Sequence, residues 1–321
     1  MELHVGVDVS KKTLDVYIND IEKKEYDFEN NQAGIEKFLG VLKALQLKDH
    51  GIQLIICEAT GGYEKLLFDL CHVNNFPIHV VHPNKVKSFA KATGTFAKTD
   101  KIDAKILNQF ARVFKPSPDQ ISLSPELETL RALVIRRQQL LEEKNRETNR
   151  LDKGIGVVAR QSIEEHVRWL EKALKAIENA ISKQVKDNPK IQESVQLLES
   201  APGIGILTAV ILLVELPELG QIGDKQLASL VGVAPMNKDS GTKSGKRSIK
   251  GGRSFVRKIL YMAALTSARF NPDMKKFYQR LRARGKVAKV ALTAVLHKLL
   301  ILLNSIARRR TPWEHRIGAV A

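Results

Sequence analysis

Four carboxylates stand where the ends of strands and one helix can bring them together. Asp8 lies in an alternating strand pattern, which turns its side chain to the face opposite the neighbouring valines. Glu58 follows the nearly continuous apolar run Ile52–Cys57, at the carboxyl end of a predicted strand, where α/β sites assemble. Asp100 and Asp103 are three residues apart at the start of a predicted helix and share one of its faces. This placement predicts a convergent acidic site.

The chemistry of such a site follows from its charge. Carboxylates held close together repel one another, and the pKa of each rises. Divalent cations relieve the repulsion, and ligation by oxygen alone selects Mg²⁺, with Mn²⁺ as the alternative. Paired ions would clamp the attacking and leaving oxygens of a phosphodiester. Taken singly, Asp8 also fits a strand-end turn, and the acids at the helix start also fit a complement to its dipole. The four in this order are far more specific.

The elements that must position these residues occupy Met1 to about Pro118. Two alternating strand patterns, Leu3–Val9 and Leu14–Ile18, are separated by a short turn, and Lys24–Phe28 completes an antiparallel meander. Helices and strands then alternate, with helices over Gly34–Leu45, Tyr63–Val73 and Lys101–Phe114 and strands over Ile52–Cys57 and Ile78–Val81. This is an α/β plan of the ribonuclease H type, although a Rossmann-like sheet also fits the pattern.

The middle of the chain, about 119–200, is helical and polar. Ser124-Pro125-Glu126 is a good helix start, and one apolar stripe runs on from Leu127. A second stripe runs from Ile163 to Val185. Two such stripes indicate an antiparallel helical hairpin or a dimeric coiled coil. A helical spacer packed on the domains fits equally well.

The positive charge of the chain is concentrated near its C-terminus. The net charge of +17 comes from 52 Lys and Arg against 35 Asp and Glu. Residues Asn237–Ala321 hold 21 of these bases and three of the acids, whereas the other 236 residues hold 31 bases and 32 acids. Such a block attracts a polyanion, above all nucleic acid, although a solubilising surface is the plain alternative. With aromatic residues at 6%, base stacking contributes little.

The C-terminal part begins at a glycine turn, Ala201-Pro202-Gly203-Ile204-Gly205, before the apolar helix Ile206–Leu216. This is the pattern of a helix-hairpin-helix, whose backbone N–H groups would hold a phosphate at Gly203 and Gly205. A glycine-rich turn with no ligand fits nearly as well. Met236–Gly252 reads as a flexible loop, and three helices follow, over roughly Ser254–Arg269, Asp273–Arg284 and Val287–Ala307.

Cysteine usage and hydropathy bear on the compartment. Cys57 and Cys71 match no metal-ligand spacing and are too few for a disulfide framework. The N-terminus lacks the basic and apolar blocks of a signal peptide. The longest apolar stretch, Val290–Leu303, is too short to span a bilayer and is predicted to be a buried helix. We therefore expect a cytoplasmic protein with no membrane partner.

Several blocks of this sequence resemble one family. GVDVSKKTLDVYI (Gly6–Ile18), CEATGGYE (Cys57–Glu64) and KTDKIDAKIL (Lys98–Leu107) are similar to the signature blocks of the DEDD transposases of serine-containing insertion sequences. Those enzymes are the bridge-RNA-guided recombinases, and pilin-gene DNA invertases are their relatives. APGIGILTA (Ala201–Ala209), LVGVAPMNKDSGTKSGKRSIKGG (Leu230–Gly252) and the helix start Arg253–Arg257 match as well. The resemblance covers about two-thirds of the chain, and the middle helices match only in position and character.

The resemblance implies a domain plan and a set of functional residues. It implies a RuvC-like catalytic domain over 1–118, a coiled-coil spacer over 119–200 and a basic transposase domain over 201–321 that carries the serine. In that plan Asp8, Glu58, Asp100 and Asp103 are the Mg²⁺ ligands, and Ser240 is the nucleophile that forms a covalent serine–DNA linkage. By spacing alone Ser240 is an ordinary loop residue, and Ser244, also followed by Gly, is its rival. The residues predicted to contact nucleic acid are Gly203, Gly205, Lys243, Lys246, Arg247, Lys250, Arg253 and Arg257.

The implied activity is strand exchange of a mobile element. A phosphodiester is cleaved, a transient protein–DNA linkage forms, and the strand is joined to a new partner. The implied partners are donor and target DNA, a structured guide RNA that pairs with both, and further copies of this chain in a homodimer or tetramer. Carboxylates and serine lie far apart in the sequence, so we expect carboxylates of one subunit to act with the serine of another. A site completed within one chain by a folded-back spacer is the alternative. A metal nuclease that uses water, such as a junction resolvase, and a non-catalytic DNA-binding scaffold are the alternatives.

Overall fold

The chain of 321 residues forms two compact units, Met1–Ser122 and Leu123–Ala321. A computed structural model describes residues 2–19, 21, 24–48, 50–94, 99–119, 124–151, 156–236 and 248–314. The segment that the sequence assigns to a helical spacer, 119–200, belongs almost entirely to the second unit. The three-part division with boundaries near 118 and 200 stays a prediction.

The first unit is built on a mixed sheet of five strands. They are β1 (Glu2–Val9), β2 (Thr13–Ile18), β3 (Glu25–Glu29), β4 (Gly51–Glu58) and β5 (Ile78–Val81). Their order is β3-β2-β1-β4-β5, with β1 to β3 antiparallel and β4 and β5 parallel to β1. An antiparallel meander continued by parallel strands is the ribonuclease H plan. That plan is confirmed over the Rossmann-like alternative, whose sheet is mostly parallel.

Four helices cover the two faces of this sheet. They are α1 (Gln32–Gln46), α2 (Lys65–Val73), α3 (Pro83–Ala92) and α4 (Asp100–Phe114). Phe38 of α1 and Leu67 of α2 share a core with the valines of β1, whereas α3 and α4 pack on the opposite face against Leu54 and Ile56 of β4. Because β4 is buried on both faces, its sequence is a continuous apolar run.

The sequence does not predict α3. Pro83 opens this helix, where a missing amide hydrogen costs nothing, and His82 caps it by accepting a hydrogen bond from the Asn84 amide at 3.1 Å. Val86 is its one buried residue. With so narrow an apolar face, the helix has no 3.6-residue hydrophobic period to detect.

The second unit is helical in the part that the structure describes. Its helices are α5 (Pro125–Leu151), α6 (Val157–Asp187), α7 (Pro189–Glu199), α8 (Ile206–Glu215), α9 (Asp224–Val231), α10 (Ser254–Phe270), α11 (Pro272–Ala283) and α12 (Ala288–Arg309). The three helices predicted after Gly252 are found within about two residues of the expected bounds, and α9 is not predicted from the sequence.

α5 and α6 form an antiparallel hairpin, the first of the two arrangements that the stripes indicate. Arg137 pairs with Glu178 at 2.7 Å, and Lys144 pairs with Glu171 at 2.7 Å. The later residue of α5 thus pairs with the earlier residue of α6, which shows that the two helices run in opposite directions. Leu140, Leu170 and Leu174 form a small core between the two helices. The base of α5 enters the main core of the second unit.

α12 is long and apolar enough, by length and composition alone, to cross a membrane. The apolar stretch that looks too short in the sequence therefore belongs to a longer helix. Its buried side chains, among them Val295, Leu299 and Leu303, lie in the core shared with α8, α9 and α10. Asn304 is fully buried there and satisfied by hydrogen bonds to the Gly220 amide, the Ile222 carbonyl and Asp224. These contacts are those of a core helix, as predicted.

Candidate active site

The acidic site depends on how closely α4 lies on β1. A Cβ built on Gly6 would be 2.0 Å from the carbonyl oxygen of Ala104, so only glycine allows this approach. Two residues earlier in β1, the His4 carbonyl accepts a hydrogen bond from the side chain of Asn108, which lies four residues later in α4. Two strand residues span about 6.6 Å and four helix residues about 6 Å, so strand and helix advance by similar lengths in opposite directions. Two residues after Gly6, Asp8 is therefore expected beside the N-terminal turn of α4, which carries Asp100 and Asp103.

Strand alternation brings Glu58 to the same face of the sheet. Val5, Val7 and Val9 of β1 are buried against α1 and α2, so the side chain of Asp8 faces α4, as predicted. In β4, Cys57 lies in the core with the valines, and Ile56 lies in the core with α4. Glu58, the last residue of β4, shares the face of Ile56. The parallel register places Gly6 beside Ile56, so Asp8 and Glu58 stand at adjacent strand ends.

The other three predicted carboxylates all influence the pKa of Asp8. Burial, followed by the charges of Asp103, Asp100, Asp15 and Glu58 in that order of importance, together raise its pKa from 3.8 to about 6. Among the described residues, the neighbouring charges that shift this pKa are all carboxylates. The fold thus gathers like charges around Asp8.

The donor set fits a divalent cation by its chemistry. It consists of hard carboxylate oxygens on three different elements, β1, β4 and α4, which is the ligand type that Mg²⁺ and Mn²⁺ prefer. Within the part of the chain that the structure describes, no three His, Cys, Asp or Glu side chains surround one point closely enough to form a ready-made metal cluster. The carboxylates share a face and interact by charge, and a cation would draw them inward.

Two further carboxylates extend the acidic row across the sheet, and neither is predicted as a site residue from the sequence. Asp15 of β2 lies directly opposite Asp8, and Asp27 of β3 lies directly opposite Asp15. Burial, then Asp100 and Asp27, raise the pKa of Asp15, whereas Lys101 lowers it. Like charges directly opposite each other destabilise a sheet. The alternation of Leu14, Val16 and Ile18 was the available signal, because it places Asp15 on the face of Asp8.

Two loops that follow β1 and β4 are tied together beside the acidic site. The Asn30 side chain donates hydrogen bonds to the Ser10 carbonyl at 2.8 Å and to the Tyr63 carbonyl at 3.0 Å. Glu64 accepts from the Thr60 amide and hydroxyl and from the Gly62 amide, and these hydrogen bonds lower its pKa despite partial burial. These contacts fix the strand ends that carry Asp8 and Glu58.

Only some of the functional residues predicted in the second unit lie in the described part of the chain. The proposed nucleophile Ser240 and the predicted nucleic-acid contacts Lys243, Lys246 and Arg247 lie outside the described residues. Lys250 is exposed. Arg253 and Arg257 are half-buried and already engaged within the protein, since Arg253 holds the carboxylate of Glu218 at 2.6 Å through two nitrogens. Arg257 donates to the carbonyls of Val231 and Gly251. Their role toward nucleic acid stays a prediction.

The glycine turn has local roles of its own. Gly203 has a φ of +101°, and a Cβ there would lie 2.4 Å from the Ser267 hydroxyl of α10, so close helix packing requires this glycine. Gly205 precedes α8. Burial raises the pKa of Glu199, which the nearby amide of Ile206 at the start of α8 partly offsets. Phosphate binding at Gly203 and Gly205 stays a prediction.

An exposed basic surface covers α11 and the residues around it. Within residues 269–289 the only acid is Asp273. The α11 surface consists of eight exposed bases, Arg269, Lys275, Lys276, Arg280, Arg282, Arg284, Lys286 and Lys289. It is the largest concentration of exposed bases along the described C-terminal residues, and none of the eight is among the contacts predicted from the sequence.

Comparison with known proteins gives matches over both units. A DEDD transposase model of the IS110 type matches residues 5–155, and a model described as Transposase IS116/IS110/IS902 family matches residues 195–279. The chain is 28% identical over 323 aligned positions to the pilin gene-inverting proteins of Moraxella lacunata and Moraxella bovis, with 98% of each chain covered. It is also 32% identical over 131 positions to an uncharacterized IS110 protein of Streptomyces coelicolor, with 38% of this chain and 31% of that protein covered.

Among solved structures, the alignment with T. thermophilus RuvC in complex with a Holliday junction substrate covers 37% of this chain and 100% of the RuvC chain. The sequence identity is 12% and the TM-score is 0.28. A likeness of this size adds no argument, and the ribonuclease H plan of the first unit rests on its own strand order.

Proposed function

This chain belongs to the IS110/IS116/IS902 family of transposases and is a DNA transposase or recombinase, and from that premise we propose that its acidic site works with Ser240 in strand exchange. The observation that carries the proposal is the gathering of carboxylates around Asp8, whose pKa they raise. Such a site is built to receive positive charge. We propose that this charge is a divalent cation, Mg²⁺ in the cell.

Asp8, Glu58, Asp100 and Asp103 would hold the cation. When bound, it supplies charge that stabilises the oxygens of the phosphodiester under attack. The chain supplies the geometry: α4 holds Asp100 and Asp103 over β1, and the ties through Asn30 and Glu64 fix the ends of β1 and β4. Such preorganisation lets a site act without rearranging at the moment of reaction.

The proposed reaction is a reversible exchange at phosphorus. The Ser240 hydroxyl gives up its proton, its Oγ forms a bond to phosphorus, and the bond from phosphorus to a deoxyribose oxygen breaks as that oxygen takes a proton. A deoxyribose hydroxyl from the new partner then attacks the same phosphorus and releases the serine. The phosphodiester energy is kept, so the strands are rejoined without another energy source.

The experiment that tests the serine assignment is the capture of a protein–DNA adduct that survives denaturation. The substrate is labelled DNA from the ends of the mobile element, incubated with Mg²⁺. We expect the adduct with the wild-type protein and with Ser244→Ala, and its loss with Ser240→Ala. An adduct that forms with Ser240→Ala and is lost with Ser244→Ala would instead identify Ser244 as the nucleophile. Strand cleavage without any adduct, undiminished in both variants, would support the nuclease alternative, because the acidic site lies wholly in the first unit.

We further propose that a structured guide RNA pairs with donor and target DNA. The electrostatic support is the α11 surface, which suits a polyanion of either kind. The test is to sequence the RNA that co-purifies with the protein expressed together with the DNA flanking its gene. Recovery of one structured non-coding RNA from that flank supports the guide, and recovery of only bulk cellular RNA argues against it.

We also propose that the working form is a homodimer or a tetramer. Mixing Asp8→Asn protein with Ser240→Ala protein tests it, because each variant supplies the group that the other lacks. Partial recovery of activity in the mixture supports function across subunits. A mixture that stays inactive, while labelled subunits demonstrably exchange, contradicts it.

A further inference from the structure

The two flanks of residues 237–247, which include Ser240, are joined at their nearest described residues. The Met236 amide donates to the Ser248 carbonyl at 2.9 Å, and the Ser248 amide donates back to the Met236 carbonyl at 3.3 Å. This is a hydrogen-bonded antiparallel pair. The two flanks, residues 232–236 and 248–252, are called the neck below.

The far end of the neck is closed by glycines. A Cβ on Gly232 would lie 2.1 Å from the Gly251 carbonyl oxygen, and a Cβ on Gly252 would lie 2.3 Å from the Gly232 nitrogen. Gly232 and Gly252 also have φ values of +76° and +68°. Only glycine satisfies both the backbone angle and the close approach. The two flanks therefore touch at both ends of the neck.

Arg257 connects the two sides of this closure. Its Nη1 donates to the Val231 carbonyl at 3.0 Å, on the side that enters the neck, and to the Gly251 carbonyl, on the side that leaves it. Arg253, one helical turn earlier, is held by both carboxylate oxygens of Glu218 at 2.6 Å. The first turn of α10 is thereby anchored where it can hold the neck. A guanidinium that donates inward to carbonyls has fewer hydrogens to offer a phosphate.

We propose that Arg257 is a positioning residue that clamps the neck, the two described flanks between which Ser240 lies in the sequence. This assignment rests on the proposed serine chemistry, and it replaces the phosphate contact predicted for Arg257 from the sequence. The physical reason is that a nucleophile must be presented within a few tenths of an ångström of its phosphorus, whereas a loop whose two ends can separate samples many positions.

The first test separates a clamp from a phosphate contact. DNA affinity is measured against salt, and DNA strand cleavage is measured in single turnover, for Arg257→Gln, Arg257→Lys and the matched control Lys258→Gln, whose parent lysine is the exposed neighbour on α10. We expect Arg257→Gln to lower cleavage about 100-fold with an unchanged salt slope. Lysine can hold a phosphate but cannot span two carbonyls as the planar guanidinium does, so Arg257→Lys should not restore cleavage. The control should cleave like the wild type.

The second test keeps the proposal falsifiable if Arg257→Gln loosens the fold. Met236→Cys and Ser248→Cys, combined with Arg257→Gln, place two thiols on an opposed pair about 5.5 Å apart at Cα, which suits a disulfide. The oxidised protein should regain most of the missing cleavage activity, and reduction should remove it again. Rescue of this kind is not expected from a residue that only stabilises the unit.

Three results would overturn the clamp. They are a salt slope that falls in Arg257→Gln by the amount expected for one phosphate, cleavage that is unchanged in that variant, and cleavage that disappears and does not return on oxidation. The adduct assay with Ser240→Ala decides the serine chemistry separately. A missing adduct with normal cleavage in the wild type rejects the serine, whichever way Arg257 behaves.

Discussion

The acidic site of the first unit and the arginine neck of the second treat charge in opposite ways. Asp8 is surrounded by carboxylates that raise its pKa, so the fold tolerates repulsion there. Arg253 is matched by Glu218, and Arg257 by backbone carbonyls, so the fold satisfies both cations internally. Sequence resemblance assigns an external ligand to both sets. The structure separates them, because Arg253 and Arg257 have partners within the protein, whereas Asp8 lies among like charges that raise its pKa.

The largest effect should come from removing charge at the acidic site. Asp8→Asn, Glu58→Gln and Asp103→Asn should each lower strand cleavage by on the order of 1,000-fold, because several kcal/mol of transition-state stabilisation depend on the cation that we propose they hold. DNA affinity should change little, since the proposed role of these residues is to hold the cation and not to contact phosphates. Glu36→Gln on α1 is the matched control and should cleave normally. Near-normal cleavage by the Asp8 variant would contradict the metal assignment and, with it, the contrast between the acidic site and the arginine neck.

A smaller effect should come from moving α4 away from β1. Gly6→Ala forces the helix to shift, since its Cβ would overlap the Ala104 carbonyl, and we expect a loss of about 1–3 kcal/mol in the free energy of unfolding. Cleavage should fall about 100-fold because the carboxylates of the two elements separate. Gly40→Ala is the control: nothing lies within 4 Å of its Cβ in α1, so it should stabilise the protein slightly. Equal behaviour of the two variants in thermal unfolding and cleavage would show that the close packing at Gly6 does not position the site.

Local patterns were enough to predict most of the first unit, and they failed where a feature depends on distant residues. The alternation around Asp8 predicted both its strand and its face, and the apolar run before Glu58 predicted a strand buried on both sides. α3 was missed because a single buried residue gives no period. The role of Arg253 could not be predicted, because its partner Glu218 lies 35 residues away in sequence. The tight approach at Gly6 cannot be seen in the sequence, and the alternation around Asp15 gives its face but not its pairing with Asp8, which depends on the sheet register.

The salt dependence of DNA binding should sharpen the comparison within the second unit. Deleting residues 237–321 would remove most of the positive charge, but it would also remove α10 and α12, which build the core of that unit. The deletion therefore cannot be used to test the salt dependence. Instead, Lys275→Gln, Lys276→Gln and Arg284→Gln together should reduce the slope of log affinity against log salt by roughly 0.9 for each phosphate that is no longer neutralised. The matched triple variant Lys172→Gln, Lys175→Gln and Lys183→Gln on α6 should leave the slope unchanged. The opposite ranking would place the nucleic acid on the hairpin instead of the α11 surface.

We propose that Asp8 helps to hold a cation, and the stability of the protein tests this central claim most directly. A pKa raised from 3.8 to about 6 means that the folded protein binds the proton more tightly than the unfolded chain. Stability from this group is therefore fully present below pH 3.8 and is lost as the pH rises to about 6. Asp8→Asn mimics the protonated form and keeps that stability.

The measurement is the free energy of unfolding of wild type and Asp8→Asn at about pH 7, with EDTA and then with Mg²⁺. In EDTA the variant should be more stable by about 1 kcal/mol, a figure that allows for the partial exposure of Asp8. Mg²⁺ should stabilise the wild type by mass action and leave the variant nearly unchanged. A variant that is less stable than the wild type in EDTA, with no response of the wild type to Mg²⁺, would contradict the claim.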